Sequence, residues 1–191
     1  MSKFKLAVIV GSNRKESINR KLAQALEKLG AGAFEARFIQ IDDLPMYNQD
    51  FEQPVPEKVA RFKAEVEASD ALLFVTPEHN RSIPAVLKNA IDWGSRPWGK
   101  TSWPGKPAAI IGTAGGAIST AIAQQHLRAV LGNQGLHLMG GEAYIQFKPD
   151  LIDAQGNVTD DNVRTFLKSF INQFAAFAGK FVQPATAAAA A

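Results

Sequence analysis

Ser12, Arg14, Ser17 and Asn19 crowd into positions 12–19, directly after Gly11 ends the apolar run LAVIV (6–10). Hydroxyls, an amide and a guanidinium placed just ahead of a helical pattern are suited to gripping a phosphate. A helix N-terminus carries unpaired N–H groups and about half a positive charge. The spacing is neither the GxxxxGK of a triphosphate loop nor the GxGxxG of a dinucleotide fold, so a single phosphomonoester fits better. An ordinary polar capping loop uses the same residue types and is the competing reading.

Two further stretches carry groups for a planar, hydrogen-bonding ring. In TPEHNRSIP (76–84), Pro77 ends an apolar run, and Glu78, His79 and Asn80 offer backbone and amide groups. In GTAGGAIST (112–120), Gly115 and Gly116 let backbone N–H groups approach a ligand closely. Trp98 and Trp103, in the Gly/Pro-rich connection 94–107, are candidates for a pocket wall, whereas Trp93 sits on a helical stripe and reads as core. Arg81, Arg96 and Lys100 are candidates for attracting anions, by charge and loop position.

The elements that must hold these loops alternate along the chain. Short apolar runs at 6–10, 34–41, 71–76, 108–112 and within 136–147 read as strands, the last with a kink at Met139–Gly141. Helical periodicity follows each: Ile18, Leu22 and Leu26 behind a Ser17 cap; Val59, Phe62 and Val66; Val86, Leu87 and Ile91 behind Pro84; a helix ending near Gly132; and a phenylalanine-rich stripe capped by Thr159. Five strands alternating with helices predict an α/β fold with a parallel sheet covered on both faces. Ligands then bind beyond the carboxyl ends of the strands, where the three polar loops emerge. One domain is expected over 1–183, with an unstructured alanine-rich tail at 184–191.

Composition narrows the chemistry. There is no cysteine, which excludes disulfides and dithiol redox chemistry, so any redox activity belongs to a cofactor. The three histidines, His79, His126 and His137, lack the close spacing of a zinc site. A formal charge of +3, with bases and acids interleaved, gives little support to a nucleic-acid groove. No apolar run is long enough to span a bilayer and no cleavable leader is recognisable, so a cytoplasmic protein with no membrane partner is expected.

GSNRKESINRKLA and TPEHNRSIPAVLKNAIDWGSRP, in this order and at this separation, resemble the NADPH-dependent FMN reductase family, and within it the bacterial chromate- and quinone-reducing flavoproteins. The resemblance covers roughly residues 4–180 and implies a flavodoxin-like three-layer fold, a five-stranded parallel sheet in the order 2-1-3-4-5, and FMN at the switch point. It implies that Ser12, Arg14, Ser17, Ile18 and Asn19 bind the FMN phosphate, that Pro77, Glu78, His79, Asn80 and Ser82 flank the isoalloxazine, and that Thr113, Ala114, Gly115 and Gly116 line its other edge. NADPH or NADH is the implied donor, with quinones, chromate or similar small molecules as acceptors and no catalytic acid, base or metal. The main rival is a flavodoxin-type electron carrier without its own NAD(P)H oxidation. Three positions depart from the family pattern: His79 stands where tyrosine is usual, Glu16 where a small residue is common, and Ala85 where glycine is common. A dimer or tetramer is also implied, with AQQHLRAVL (123–131) as the expected interface helix.

Overall fold

The computed structural model describes residues 3–182, so the expected tail at 184–191 lies outside the described residues. The chain runs β1 (Phe4–Val10), α1 (Ile18–Gly30), β2 (Phe34–Phe38), α2 (Glu57–Glu67), β3 (Ala71–Val75), α3 (Ala85–Gly94), β4 (Pro107–Ala114), α4 (Ala121–Asn133), β5 (His137–Leu138), β6 (Tyr144–Gln146) and α5 (Asp161–Ala178). All strand pairings are parallel, in the order β2-β1-β3-β4-β5, and β6 also pairs with β4. This is the expected flavodoxin-like sheet. Its reversal of strand order lies between β1 and β3, and the loops that follow them open on one edge.

The pleat explains the two apolar layers. Along β1, Leu6, Val8 and Val10 face one side, where Leu22 and Leu26 of α1 and Phe170, Ile171 and Phe174 of α5 cover them. Ala7 and Ile9 face the other, beneath Val59 and Phe62 of α2, Leu87 and Ile91 of α3, and Leu127 and Leu131 of α4. Strands buried on both faces read as continuous apolar runs, which is why β1, β3 and β4 stand out in the sequence. Each fully buried leucine or phenylalanine contributes about 1.5–3 kcal/mol relative to exposure. Among the described residues, no helix is long and apolar enough to cross a membrane.

Three expectations change in the structure. The fifth strand, read as one segment over 136–147, divides into β5 and β6, so the sheet has six strands. The chain leaves the edge of β4 around Gly140 and Gly141, where Arg128 donates to the carbonyls of Met139 and Gly141, and returns at Tyr144. The last helix is capped by Asp160, whose Oδ1 accepts from the N–H groups of Asn162 and Val163; Thr159 instead donates its hydroxyl to the Asp150 carbonyl at 2.6 Å. Trp103 does not wall a pocket: it is fully buried against Gly94 and donates its indole N–H to Ile91, while Trp98 is 86% exposed.

Candidate functional site

A cleft of about 420 Å³ opens at the carboxyl edge, walled by the loops after β1, β3 and β4. Its first wall is the start of α1. Ser17 caps the helix: its Oγ accepts the Arg20 N–H at 3.2 Å, and its carbonyl accepts that of Lys21. These bonds leave the N–H groups of Ile18 and Asn19 without an acceptor among the described residues, and both residues line the cleft with Ser12, Asn13 and Arg14. The exposed Arg14 guanidinium forms no ion pair among the described residues. Glu16, whose side chain is 78% exposed, turns away toward Lys21 and adds no carboxylate to the phosphate wall.

The second wall is a tight turn. His79 and Ser82 exchange both backbone hydrogen bonds, at 3.0 and 2.8 Å, around Asn80 and Arg81 at φ of 49° and 60°. Two successive left-handed residues define a reverse turn that asparagine tolerates and arginine adopts only at a cost. Glu78 anchors this turn from below. Its side chain, 7% exposed, spans between Arg81 on Oε1 and the N–H groups of Ile122 and Ala123 on Oε2, each at 3.0 Å. Those are the second and third residues of α4, whose own N-cap, Thr120, makes no side-chain cap bond. A carboxylate from the loop after β3 therefore neutralises the positive end of α4. At α3 the opposite holds: Pro84 provides no side-chain cap, and Ala85 and Val86, at the helix start, line the cleft. Two helix N-termini thus converge on the cleft and favour an anion there, while a third is filled by Glu78.

The third wall is the end of β4. Thr113 is 1% exposed, and its N–H and carbonyl are both taken by the side-chain amide of Asn19, at 3.0 and 2.9 Å. Its hydroxyl donates to the Ile145 carbonyl, which also receives the hydroxyl of Ser119. Ala114 and Gly115 complete this side of the cleft.

Ser12, Arg14, Ser17, Ile18 and Asn19 therefore meet Pro77, Glu78 and His79, and Thr113, Ala114 and Gly115, around one cavity. Asn80 and Ser82 line a neighbouring groove of about 690 Å³ between α3 and α4, which shares His79 and Ala85 with the cleft; Gly116 is exposed outside both. There the Ser82 hydroxyl lies 3.1 Å from His126 Nδ1. Pro84, Ala85 and Val86 were not assigned to the site from sequence; the helix-start proline was the signal that could have placed them, since the first turn of α3 must begin at this edge. Of the three expected anion-attracting residues, Arg81 is half committed to Glu78, and Lys100 is exposed away from both cavities. Arg96 is engaged elsewhere: its Nε sits 2.5 Å from Glu52, which also accepts the Tyr47 hydroxyl at 2.8 Å. Those bonds from Arg96 and then Tyr47 hold the Glu52 carboxyl below the ordinary glutamate range, while burial, then the bond to Glu52, pushes the Tyr47 phenol up.

The donor set of this cleft fits a mononucleotide flavin. Free N–H groups and an unpaired guanidinium stand at one end, where a phosphate has somewhere to go. Backbone-rich loops at the other end approach without bulky side chains, as a flat ring requires. The volume lies within the range of about 300–1,000 Å³ typical of cofactor sites.

Known proteins share this fold and much of this sequence. Residues 4–150 match the family model for NADPH-dependent FMN reductases. A 2-hydroxy-1,4-benzoquinone reductase from a Burkholderia species is 49% identical over 175 residues, covering 91% of this chain and 96% of that protein. A quinone reductase from Pseudomonas putida is 46% identical over 176 residues, covering 91% and 94%. The structure of FerB, a flavoenzyme NAD(P)H:(acceptor) oxidoreductase from Paracoccus denitrificans, superposes with a TM-score of 0.91 at 46% identity, covering 93% of this chain and 98% of that one. On its sheet order, its three-loop cleft and these matches, the chain belongs to the NADPH-dependent FMN reductase family.

Proposed function

We propose that this protein is an FMN-dependent NAD(P)H:quinone oxidoreductase. The observation that carries the reading is the cleft itself, where the start of α1, with the N–H groups that the Ser17 cap leaves free, and the start of α3, which has no side-chain cap, meet the backbone of two ring-flanking loops. Bound FMN supplies the redox chemistry, accepting hydride from the nicotinamide and delivering electrons to the acceptor. The protein's part is position and electrostatics. Arg14, the Ser12 hydroxyl and the N–H groups of Ile18 and Asn19 hold the phosphate. Pro77, Glu78 and His79 flank one edge of the ring through their backbone, and Thr113, Ala114 and Gly115 flank the other. Exposed His79 and Ala85, shared with the groove beside α4, leave a side by which donor and acceptor approach in turn. No side-chain acid or base is required.

The names of the relatives favour a quinone as acceptor. Chromate as a further acceptor and a homotetrameric assembly belong to the same reading on sequence resemblance, and residence in the cytoplasm belongs to it as an expectation from the apolar patterning of the sequence. A chromate assay, cell fractionation and analytical ultracentrifugation test them.

The deciding experiment mixes purified protein with FMN, removes the excess and adds NADPH under nitrogen, then benzoquinone. Bleaching of the yellow flavin band, and its return with the quinone, is expected. A protein that retains no flavin, or retains it without bleaching by NADPH or NADH, overturns the reading.

A further inference from the structure

We propose that Asn19 is a positioning residue that braces the phosphate loop against the ring-flanking loop after β4, and that its side chain does not grip the phosphate. The inference rests on the flavin reading of the cleft and deepens it.

The register of the sheet carries the argument. In a parallel strand the N–H and carbonyl of one residue point to one neighbour, and those of the next residue point to the other. Along β4, the Ile111 carbonyl accepts the Thr76 N–H on the β3 side, and the Ala114 carbonyl accepts the Phe147 N–H on the β6 side. Thr113 therefore faces the β3 side, one step beyond Ile111. But β3 ends at Val75, and its last paired residue lies opposite Ile111. The chain then turns away at Pro77, so on the β3 side no strand residue pairs with Thr113, whose other side faces Ile145 of β6. The Asn19 amide stands in that vacancy. Its Oδ1 accepts the Thr113 N–H at 3.0 Å and its Nδ2 donates to the Thr113 carbonyl at 2.9 Å, the paired exchange a neighbouring peptide would make. At 1% exposure for each residue, water has no route to replace it.

A side chain so committed has its Oδ1 and one of its two Nδ2 hydrogens held by the backbone. With the amide plane fixed by these two bonds, the group of Asn19 offered to a phosphate is its main-chain N–H, the second of α1, and the second Nδ2 hydrogen is left over from the brace. The brace instead fixes the distance between two walls of the cleft: the helix start that takes the phosphate and the Thr113–Gly115 segment beside the ring. Asparagine suits this place because its side chain is short and carries donor and acceptor on one plane.

The test compares FMN with riboflavin, which has the same ring and no phosphate. Dissociation constants are read from flavin fluorescence quenching for the wild type, Arg14→Ala, Asn19→Ala and Asn19→Ser, each checked for folding by circular dichroism. Arg14→Ala is expected to weaken FMN about tenfold or more and leave riboflavin unchanged. The Asn19 variants are expected to weaken both flavins by a similar factor, with Asn19→Ser reporting the effect if the alanine variant folds poorly. Weakening of FMN alone by the Asn19 variants overturns the proposal, because that is the signature of a phosphate ligand. A second measurement needs no variant: in the flavin-free wild type, the Thr113 amide should exchange with deuterium as slowly as core amides of β4. Fast exchange at Thr113 overturns the brace. If the wild type binds neither flavin, the functional reading itself fails, and the exchange measurement still judges the brace.

Discussion

Gly112 in β4 lies directly against the carbonyl of Thr76 at the end of β3: a Cβ at this position would stand 2.1 Å from that oxygen and 2.5 Å from the Thr120 hydroxyl. Contacts this short cannot be absorbed by a rotamer change, because the Thr76 atom belongs to the backbone. Gly112→Ala must force the ends of β3 and β4 apart where they form the floor beneath the cleft. The substitution is expected to cost about 1–3 kcal/mol in urea unfolding. It should also weaken FMN, since the loops after both strands shift. Unchanged stability and unchanged flavin affinity would contradict the close approach.

Glu78 ties the turn after β3 to the start of α4, 44 residues onward, and its effect separates into two parts. Its Oε2 caps Ile122 and Ala123, and its Oε1 holds Arg81. Glu78→Ala removes the side-chain cap of α4, so a loss of about 1–2 kcal/mol is expected. Glu78→Gln retains an oxygen for the two N–H groups but loses the charge that complements the helix dipole, and an intermediate loss follows. Denaturant titration of the flavin-free protein reads both.

Trp103 owes its place to the missing side chain at Gly94, where a Cβ would fall 2.1 Å from the indole ring. Gly94→Ala is expected to displace the indole and break its bond to the Ile91 carbonyl, at a cost of about 1–3 kcal/mol. A red shift of tryptophan emission would accompany the loss. Gly99→Ala makes a useful contrast: beyond its two chain neighbours, no atom of the described residues lies within 4 Å of the place its Cβ would take, yet the φ of 78° alone strains an alanine, so stability falls without moving Trp103.

Acid should loosen the loop that carries Tyr47 and Glu52. The bond from Arg96, followed by that from Tyr47, holds Glu52 below the ordinary 4.5 of a glutamate. A folded-state value lower than the unfolded one means that the unfolded chain binds the proton more tightly. The stabilisation is therefore fully present above pH 4.5 and is lost as the pH falls through the depressed folded value. Glu52→Gln is expected to lower stability at neutral pH and to flatten this part of the acid limb. An acid limb unchanged by the substitution would show that the Arg96 and Tyr47 contacts do not hold the carboxylate in solution.

Much of the fold and the outline of the cleft are legible in the residues themselves. β1, β3 and β4 are buried on both faces and so appear as uninterrupted apolar runs, and the helices between them keep one apolar stripe each. Ser17 reads as a cap because capping is local chemistry, settled within one turn of α1. Gly140 and Gly141 mark the place of a kink in the fifth strand, but its full division into β5 and β6 was not legible, and there Arg128 reaches across to two carbonyls of another segment. The fate of Arg96 was likewise hidden: a charge in a loop looks free until Glu52, 44 positions earlier, is folded against it.

By itself the sequence determined the alternation of strands and helices, the edge at which the polar loops emerge, and the residue types available there, because periodicity and capping act over a few residues. Only the tertiary structure decided what each polar group is free to do. Asn19, Glu78 and Arg96 look alike in sequence as polar groups near a ligand, yet each is consumed by a partner at least 44 positions away. Such partners are chosen by which buried N–H, carbonyl or charge would otherwise go unpaired, and that is a property of the packed chain.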